Sequence, residues 1–590
     1  MVTLEEKPFF ETHGLKNKIT FQATELTCEI EKELDTWQNK VCRLWMSDPS
    51  LWTNNDENKW TGWLDIPETE INALPAIEII RNEIQTAGFT HIVVLGMGGS
   101  SLFPAMVAEI FGEIPNYPCL HILDSTDPLQ IQHLENKIDL TKTLFIVSSK
   151  SGGTLEPNLF KVYFYARLQQ VLHKTQVGDR FIAITDPHTN LEKIAHDDHF
   201  RTVIHGMSTI GGRYSALCNF GMVPAVLMGL DVRYFLHNAC QMQHACFPDK
   251  PVKENPGVLL GVLLGIGASN GKDKITLIIS PGIKALGSWL EQLIAESTGK
   301  MEKSIIPVND EPLGSPEVYG SDRLFLYIRL DTTPDIQQEI AVTQLEKANH
   351  FVVRLNLPDK MFLGAELFRW EIATAVACSI IKVNPFNQPD VEASKVRALE
   401  LTTEYEKTGL MPHPLPICSE QGVHLFTDKI NAEKLGIELF TDHSMVNYLR
   451  VFFTQLKQGD YVNFSAYIEN TPEYSAWLQK SRVLIRDKTK MATCFGYGPQ
   501  FLHSTGQLYK GGANKGLFLQ ITADLTEDIS IPGHSYTFGK VIAAQAQGDF
   551  DQLVQRNRKV LRIHLTKDVQ AGLRQLYQWI ERALHDGDSK

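Results

Sequence analysis

Hydroxyls, a cation and two glycines crowd the run Ser149-Lys150-Ser151-Gly152-Gly153-Thr154, between the apolar stretch Leu144-Phe145-Ile146-Val147 and helix-like spacing from Leu155 to Val171. A strand-to-helix turn of this kind leaves first-turn N–H groups and the positive end of the helix dipole facing outward, a site ready for an anion such as a phosphate. Ser149, Ser151 and Thr154 add donors, and the glycines let the backbone approach closely. A capped turn that holds no ligand fits the same residues.

Other runs carry related chemistry. Gly96-Met97-Gly98-Gly99-Ser100-Ser101 follows a strand-like run and opens a helix-like one. Its glycines do not follow G-x-G-x-x-G, and a short turn with Ser100 as donor suits a compact sugar phosphate at least as well as a dinucleotide. Ile210-Gly211-Gly212-Arg213-Tyr214 sets a permanently charged guanidinium after two glycines, fit to face an oxyanion, although a surface ion pair uses the same residue type. Trp289, Gln292 and Glu296 share one helical stripe beside the apolar stripe of Leu286, Leu290 and Leu293. Glu296 thus sits at the edge of a buried face, where partial desolvation favours a general base; a solvated glutamate paired with Lys300 is the alternative. In Asn384-Pro385-Phe386-Asn387-Gln388-Pro389-Asp390-Val391-Glu392-Ala393-Ser394-Lys395 the prolines re-aim the chain, and Gln388 and Lys395 supply a neutral donor and a cation, or a plain surface lysine.

The elements that must position these residues are legible as alternating strand and helix patterns. Strands are expected at Ile92–Leu95, His121–Leu123, Leu144–Val147, Phe181–Ile184 and Val203–His205, and a second series at Ile275–Ile279, Ser304–Val308, Leu324–Ile328 and Phe351–Leu355. Helices are expected around Ala285–Ser297, Ile336–Asn349 and Leu363–Ile381. This alternation implies parallel, doubly wound sheets with helical crossovers, in two α/β domains that join near residues 240–256. The proline-spaced segment Met411–Pro416 reads as a connector to a third α/β unit with strands at Val462–Ser465, Ala492–Phe495, Leu517–Ile521 and Val560–His564. Its helices are expected near Met445–Leu456, Pro472–Arg486, Phe538–Arg556 and Val569–Ala583. The expected division is a helical arm at 1–75, α/β domains at 76–250 and 251–405, and a C-terminal α/β extension at 406–590. No repeat in the sequence is strong enough to claim duplication.

Composition narrows the function classes. The 590 residues are 43% hydrophobic and 21% charged, enough to bury large cores in several domains. A net charge of −13 argues against non-specific nucleic-acid binding and leaves room for small anions at locally positive sites. Nine scattered cysteines without a CxxC pair read as reduced thiols of a cytoplasmic protein, not as a metal site. Met1–Lys7 lacks the pattern of a signal peptide, and the most apolar run, Gly257–Ala268, is too short to span a bilayer and reads as a buried helix.

Taken in order, GMGGSS, SSKSGGT, IGGRYSAL, EQLIAESTGK and NPFNQPDVEASK resemble the motifs of the glucose-6-phosphate isomerase family, over roughly residues 90–400. The resemblance implies two sugar-isomerase (SIS) domains, a sugar-phosphate substrate, aldose–ketose isomerisation, no cofactor or metal, and a homodimer. The flanking segments look more like the isomerase half of bacterial transaldolase/glucose-6-phosphate isomerase fusions; with no transaldolase-sized domain expected before it, only the isomerase activity is implied. By matching position, Glu296 falls on the family's proton-transfer base, Arg213 on its enediolate-stabilising arginine and Lys395 on the lysine tied to ring opening. Ser149, Lys150, Ser151 and Thr154 fall on the phosphate loop, Ser100 on a substrate-contacting serine, Gln292 one turn before the base, and Gln388 on a phosphate-side glutamine.

Two departures stand out. The family's histidine, often given across a dimer interface, has no counterpart between Glu311 and Arg323, where Tyr319 stands near the expected place. Tyr319, His350 or Lys395 is then expected to assist ring opening, or spontaneously opened sugar is used. Asp390 replaces a glycine typical of the family. The C-terminal run His503-Ser504-Thr505-Gly506-Gln507-Leu508-Tyr509-Lys510-Gly511-Gly512 reads as a packing loop or a second anion site. A SIS-type regulatory protein that binds sugar phosphate without turnover, or an isomerase of another sugar phosphate, remains the alternative.

Overall fold

The computed structural model describes residues 18–22, 25–173, 176–411, 414–437, 441–566 and 568–585. The expected N-terminal Met1–Lys7 segment, and Pro412 and His413 of the connector, lie outside these residues.

Three sheets form the frame. The first holds Cys119–Leu123, His91–Gly96, Thr143–Ser148, Phe181–Thr185 and Thr202–His205 in that spatial order, all parallel. In chain order this is 2-1-3-4-5, so the direction of winding reverses between His91–Gly96 and Thr143–Ser148. Ligands of open α/β sheets bind at the carboxyl ends of the strands flanking such a reversal. Gly96 and Ser148 are register partners there, so the glycine loop and the serine-rich loop leave the sheet side by side.

The second sheet orders Phe351–Leu357, Arg323–Leu330, Lys274–Ile279 and Ile306–Val308 in parallel, with the strand Lys18–Phe21 added antiparallel at its edge. That edge strand was not expected, since four residues carry too little period-two pattern to stand out. The third sheet repeats the 2-1-3-4 order of parallel strands with Ala492–Tyr497, Tyr461–Tyr467, Gly516–Ala523 and Lys559–Leu565. An antiparallel pair, Cys418–Glu420 and Val423–Phe426, extends it. Its parallel strand order matches that of the second sheet although no sequence repeat reveals it.

The cores are shared among these layers. The Pro256–Ser269 helix is apolar on all sides and lies against the equally buried Leu363–Ile381 helix. With the N-terminal helix Thr27–Trp45 they join one core reaching both the first and the second sheet. Ile531, Tyr536, Phe538 and Val541 of the C-terminal unit pack into the core of the first sheet, and Tyr461, Cys494 and Phe518 pack with Ala295, Ile306 and Val308 of the second. The nine cysteines are all unpaired, and among the described residues no helix is long and apolar enough to cross a membrane.

A buried charge cluster fastens the C-terminal unit to the second sheet. Glu311 Oε1 lies 3.2 Å from Arg323 Nη2 and accepts from Thr493 Oγ1 at 2.8 Å, while Arg486 Nη1 is 3.8 Å from Glu311 Oε2. Arg482 donates to the carbonyl of Asn309 at 3.1 Å, and Arg486 to that of Pro312. Burial pushes the Glu311 carboxyl up, but Arg323, Arg482 and Arg486 outweigh it and hold the group below its ordinary value of 4.5. Removing one member of such a cluster leaves buried charge unmatched. Glu311→Gln is therefore expected to lower stability by roughly 3–5 kcal/mol in thermal or urea unfolding at neutral pH. Because the folded-state value is depressed, the gap to wild type should be full above pH 4.5 and close as the pH falls through the folded-state value.

Candidate functional site

The serine-rich loop ends at Thr154, the N-cap of the Leu155–Val171 helix, whose first turn has no side-chain cap. Its outward N–H groups therefore remain available to an anion. Ser149 is buried and its hydroxyl donates to Thr154 Oγ1 at 3.0 Å, while Ser151 at the rim accepts from Gly153 N–H at 3.3 Å. Lys150 turns away from this opening: its ammonium pairs with Asp186 and reaches the Ser208 carbonyl at 3.5 Å.

Arg213 gathers the other end of the site. The residue is 3% exposed. Nη1 donates to the carbonyls of Glu296, Asn387 and Pro385 at 2.7, 3.1 and 3.2 Å. Nη2 donates to Phe386 O at 3.4 Å and to the side-chain oxygen of Gln388, and Nε lies 3.3 Å from Glu296 Oε2. One guanidinium thus fixes both the main chain and the carboxylate of Glu296, at the last turn of the Leu286–Thr298 helix, against the 385–388 loop. The suggested Lys300–Glu296 pair does not form. Lys300 instead donates to Ser297 O at 3.0 Å and Asn384 O at 2.5 Å, underpinning the same loop. Burial and the neighbouring Arg213 charge push the Lys300 ammonium well below its ordinary value.

Close backbone approaches bring the pieces together. A Cβ on Gly99 would fall 1.9 Å from the Gly212 carbonyl, so only glycine lets the Ser100 loop meet the Arg213 loop. Gly98 has φ +57°, and a Cβ there would meet the His503 carbonyl at 2.7 Å and Gln292 Nε2 at 3.0 Å. Gln292 is the bridge: Nε2 donates to Glu296 Oε2 at 3.2 Å and to His503 O at 2.9 Å. Its buried Oε1 has no hydrogen-bond partner among the described residues.

A cavity of about 460 Å³ opens between the helix N-terminus and the C-terminal unit, lined among others by Ser151, Thr154, Glu156, Lys395, His503 and Gln545. Lys395 enters it from the Glu392–Thr408 helix, which is braced along the Phe538–Gln555 helix of the C-terminal unit. Glu156 Oε1 accepts from His503 Nε2 at 2.9 Å and from Gln545 Nε2 at 2.7 Å. Burial pushes the Glu156 carboxyl up, but His503 and, further off, Lys395 more than reverse this and hold it below the usual value.

The structure thus joins Arg213, Glu296, Gln292 and Gln388 in one hydrogen-bonded set and places Ser151, Thr154 and Lys395 on one cavity. Tyr319 and His350 lie elsewhere. They pack on each other with ring centres 6.2 Å apart, the Tyr319 hydroxyl accepting from Gly314 N–H and His350 bonding the Pro316 carbonyl. Tyr319 is further covered by Arg323 and Arg486, so the ring belongs to the charge cluster under the C-terminal unit. Asp390 docks that unit: Gln507 Nε2 donates to Oδ2 at 2.7 Å, and Arg556 Nη2 lies 2.6 Å from Oδ1. Sequence reading missed Glu156 and the inward face of His503. Glu156 stands two residues past Thr154, where its position in the first helical turn was a usable signal; His503 carried none beyond its type.

The family model described as phosphoglucose isomerase matches residues 82–311. The glucose-6-phosphate isomerase of Trichormus variabilis is 30% identical over 431 residues, 60% of this chain and 80% of the relative. That of Nostoc punctiforme is 29% identical over 409 residues, 59% of this chain and 76% of the relative. Among solved structures, a hypothetical protein of Thermus thermophilus aligns with a TM-score of 0.57 at 22% identity, covering 65% of this chain and 99% of its own. A glucose-6-phosphate isomerase of Chlamydia trachomatis aligns with a TM-score of 0.50 at 19% identity, covering 66% and 88%. These structural likenesses carry the fold.

Arg213→Lys keeps the charge and loses the fork, so one ammonium cannot serve acceptors in both the 385–388 loop and Glu296. The expected result is a loss of roughly 2–3 kcal/mol in denaturant unfolding, as for charged hydrogen bonds left unmade. Faster amide exchange at 384–390 would locate the loss; unchanged stability and exchange would contradict this role for the guanidinium.

Proposed function

The chain belongs to the glucose-6-phosphate isomerase family, and we propose that it interconverts glucose 6-phosphate and fructose 6-phosphate through an enediolate, with Glu296 as the proton-transfer base. The supporting observation is the Glu296 carboxylate held 3.3 Å from the buried Arg213 guanidinium and 3.2 Å from the Gln292 amide. A single carboxylate so fixed takes the proton beside the carbonyl of the open-chain sugar and returns it to the neighbouring carbon.

Negative charge grows on the sugar oxygens during this transfer. Arg213 spends its Nη donors on protein acceptors, so its part is that of a fixed charge beside the reacting carbons, an effect of a few kcal/mol on the barrier. Ser149, Ser151, Thr154 and the open first turn behind them hold the phosphate, with Ser100 beside them; Lys150 shapes the loop through Asp186. Lys395 offers its ammonium to substrate oxygens from across the cavity, and Gln388 keeps Arg213 in place. Anchoring the phosphate away from the base holds a flexible chain in a reactive pose. The same reading has the enzyme homodimeric and free of cofactors, as the resemblance implies, and cytoplasmic, as its scattered cysteines suggest.

A coupled assay with purified protein and fructose 6-phosphate is expected to show turnover. Glu296→Gln should cut kcat by roughly a thousandfold with little change in KM. Ligand binding without turnover in the wild type would favour a regulatory protein, and an unimpaired variant would remove Glu296 from the proton transfer.

A further inference from the structure

Of the side chains that the C-terminal unit sends into the cavity, Leu502, His503 and Gln545, the histidine alone can carry a proton, and no part of the proton-transfer scheme uses it. We propose that His503, held by Glu156 of the same chain, is the acid–base group that opens the cyclic sugar, so that the third α/β unit completes the active site in cis. This rests on the isomerase reading above.

Three observations carry it. First, the His503 side chain is 9% exposed and lines the same cavity as Thr154 and Lys395, between the anion-binding helix end and the Glu392–Thr408 helix. Second, the residue is fixed next to the base: its carbonyl accepts from Gln292 Nε2 at 2.9 Å, and that amide also lies 3.2 Å from the Glu296 carboxylate. Third, a buried relay sets the imidazole's tautomer. Thr126 Oγ1 donates to Gln545 Oε1 at 2.7 Å, Gln545 Nε2 to Glu156 Oε1 at 2.7 Å, and His503 Nε2 lies 2.9 Å from that same oxygen. An ionised carboxylate only accepts, so Nε2 carries a proton towards Glu156 and Nδ1 is left for a ligand. A histidine that merely pinned the unit in place would not need to line the cavity.

The step balances with solvent alone. Imidazolium Nδ1 gives its proton to the ring oxygen of the sugar as the bond between that oxygen and the anomeric carbon breaks, its electron pair staying on oxygen. The anomeric hydroxyl loses its proton to water in the cavity and becomes the carbonyl that Glu296 chemistry requires. Solvent then reprotonates the imidazole. Glu156 touches no reacting atom in this scheme and is a positioning residue.

The test compares a cyclic with an acyclic ketose phosphate. Fructose 6-phosphate closes to a furanose, whereas 5-deoxyfructose 6-phosphate lacks the hydroxyl that closes it and stays open. His503→Gln is expected to lose about a hundredfold in kcat/KM on fructose 6-phosphate while changing by no more than about threefold on the deoxy sugar. Glu156→Gln should lose about tenfold with the same split, which a purely structural contact would not produce. The acyclic rate also reports whether each variant is folded. Equal losses on both sugars, or no loss on either, would overturn the assignment. A wild type inactive on both would overturn the isomerase reading and this one with it, whereas turnover of the deoxy sugar with an insensitive His503→Gln would leave the isomerase standing and remove only the histidine.

Discussion

A guanidinium sealed from water needs acceptors, and the two Nη groups of Arg213 find theirs in chain segments far apart in sequence: the carbonyls of Glu296, Pro385, Phe386 and Asn387 and the side chain of Gln388, while Nε faces the Glu296 carboxylate as an ion pair at 3.3 Å. Pulling the 385–388 loop away would leave buried donors unmatched, at a cost of about a kcal/mol or more each. The 211–214 loop, the end of the Leu286–Thr298 helix and the 384–388 turn are consequently locked together. Everything proposed for the reaction depends on that knot, because it fixes where the Glu296 carboxylate points. Lys300 braces the same turn from below through Asn384.

The first sheet supplies the other fixed point. Its winding reverses between two adjacent strands, and the residues that follow Gly96 and Ser148 therefore emerge together at the carboxyl edge. The glycine loop needs that crowding, since Gly99 approaches Gly212 closer than any side chain allows. The helix end at Thr154 and the ammonium of Lys395 so border one cavity from different elements.

The C-terminal unit is part of this machine, not an appendage. It shares cores with both other sheets, and its Arg482 and Arg486 surround Glu311. Asp390 explains itself in this light: its carboxylate gives the unit's Gln507 and Arg556 a handle on the loop that carries Gln388. The helix that presents Lys395 is backed by the unit's Phe538–Gln555 helix, and His503 reaches the cavity from its short turn after Ala492–Tyr497.

By itself the sequence determined the alternation of strands and helices, because buried parallel strands read as apolar runs and their crossovers as helical periods. It also determined the ordered motifs, since turns that hold anions need particular residue types at particular places: glycine at Gly99, a hydroxyl at Thr154, a permanent cation at Arg213. Short edge strands such as Lys18–Phe21 were not legible, being too brief for a period. Only the tertiary structure decided partners. That Lys150 goes to Asp186, that Glu296 goes to Arg213 instead of Lys300, and that Tyr319 and His350 pack on each other away from the cavity are outcomes of long-range packing. The meeting of Glu156 and His503, 347 residues apart, leaves no local pattern to read. A hydrogen bond across that span exists only once three sheets have closed around it, because contact partners are set by the fold's geometry and not by neighbours along the chain.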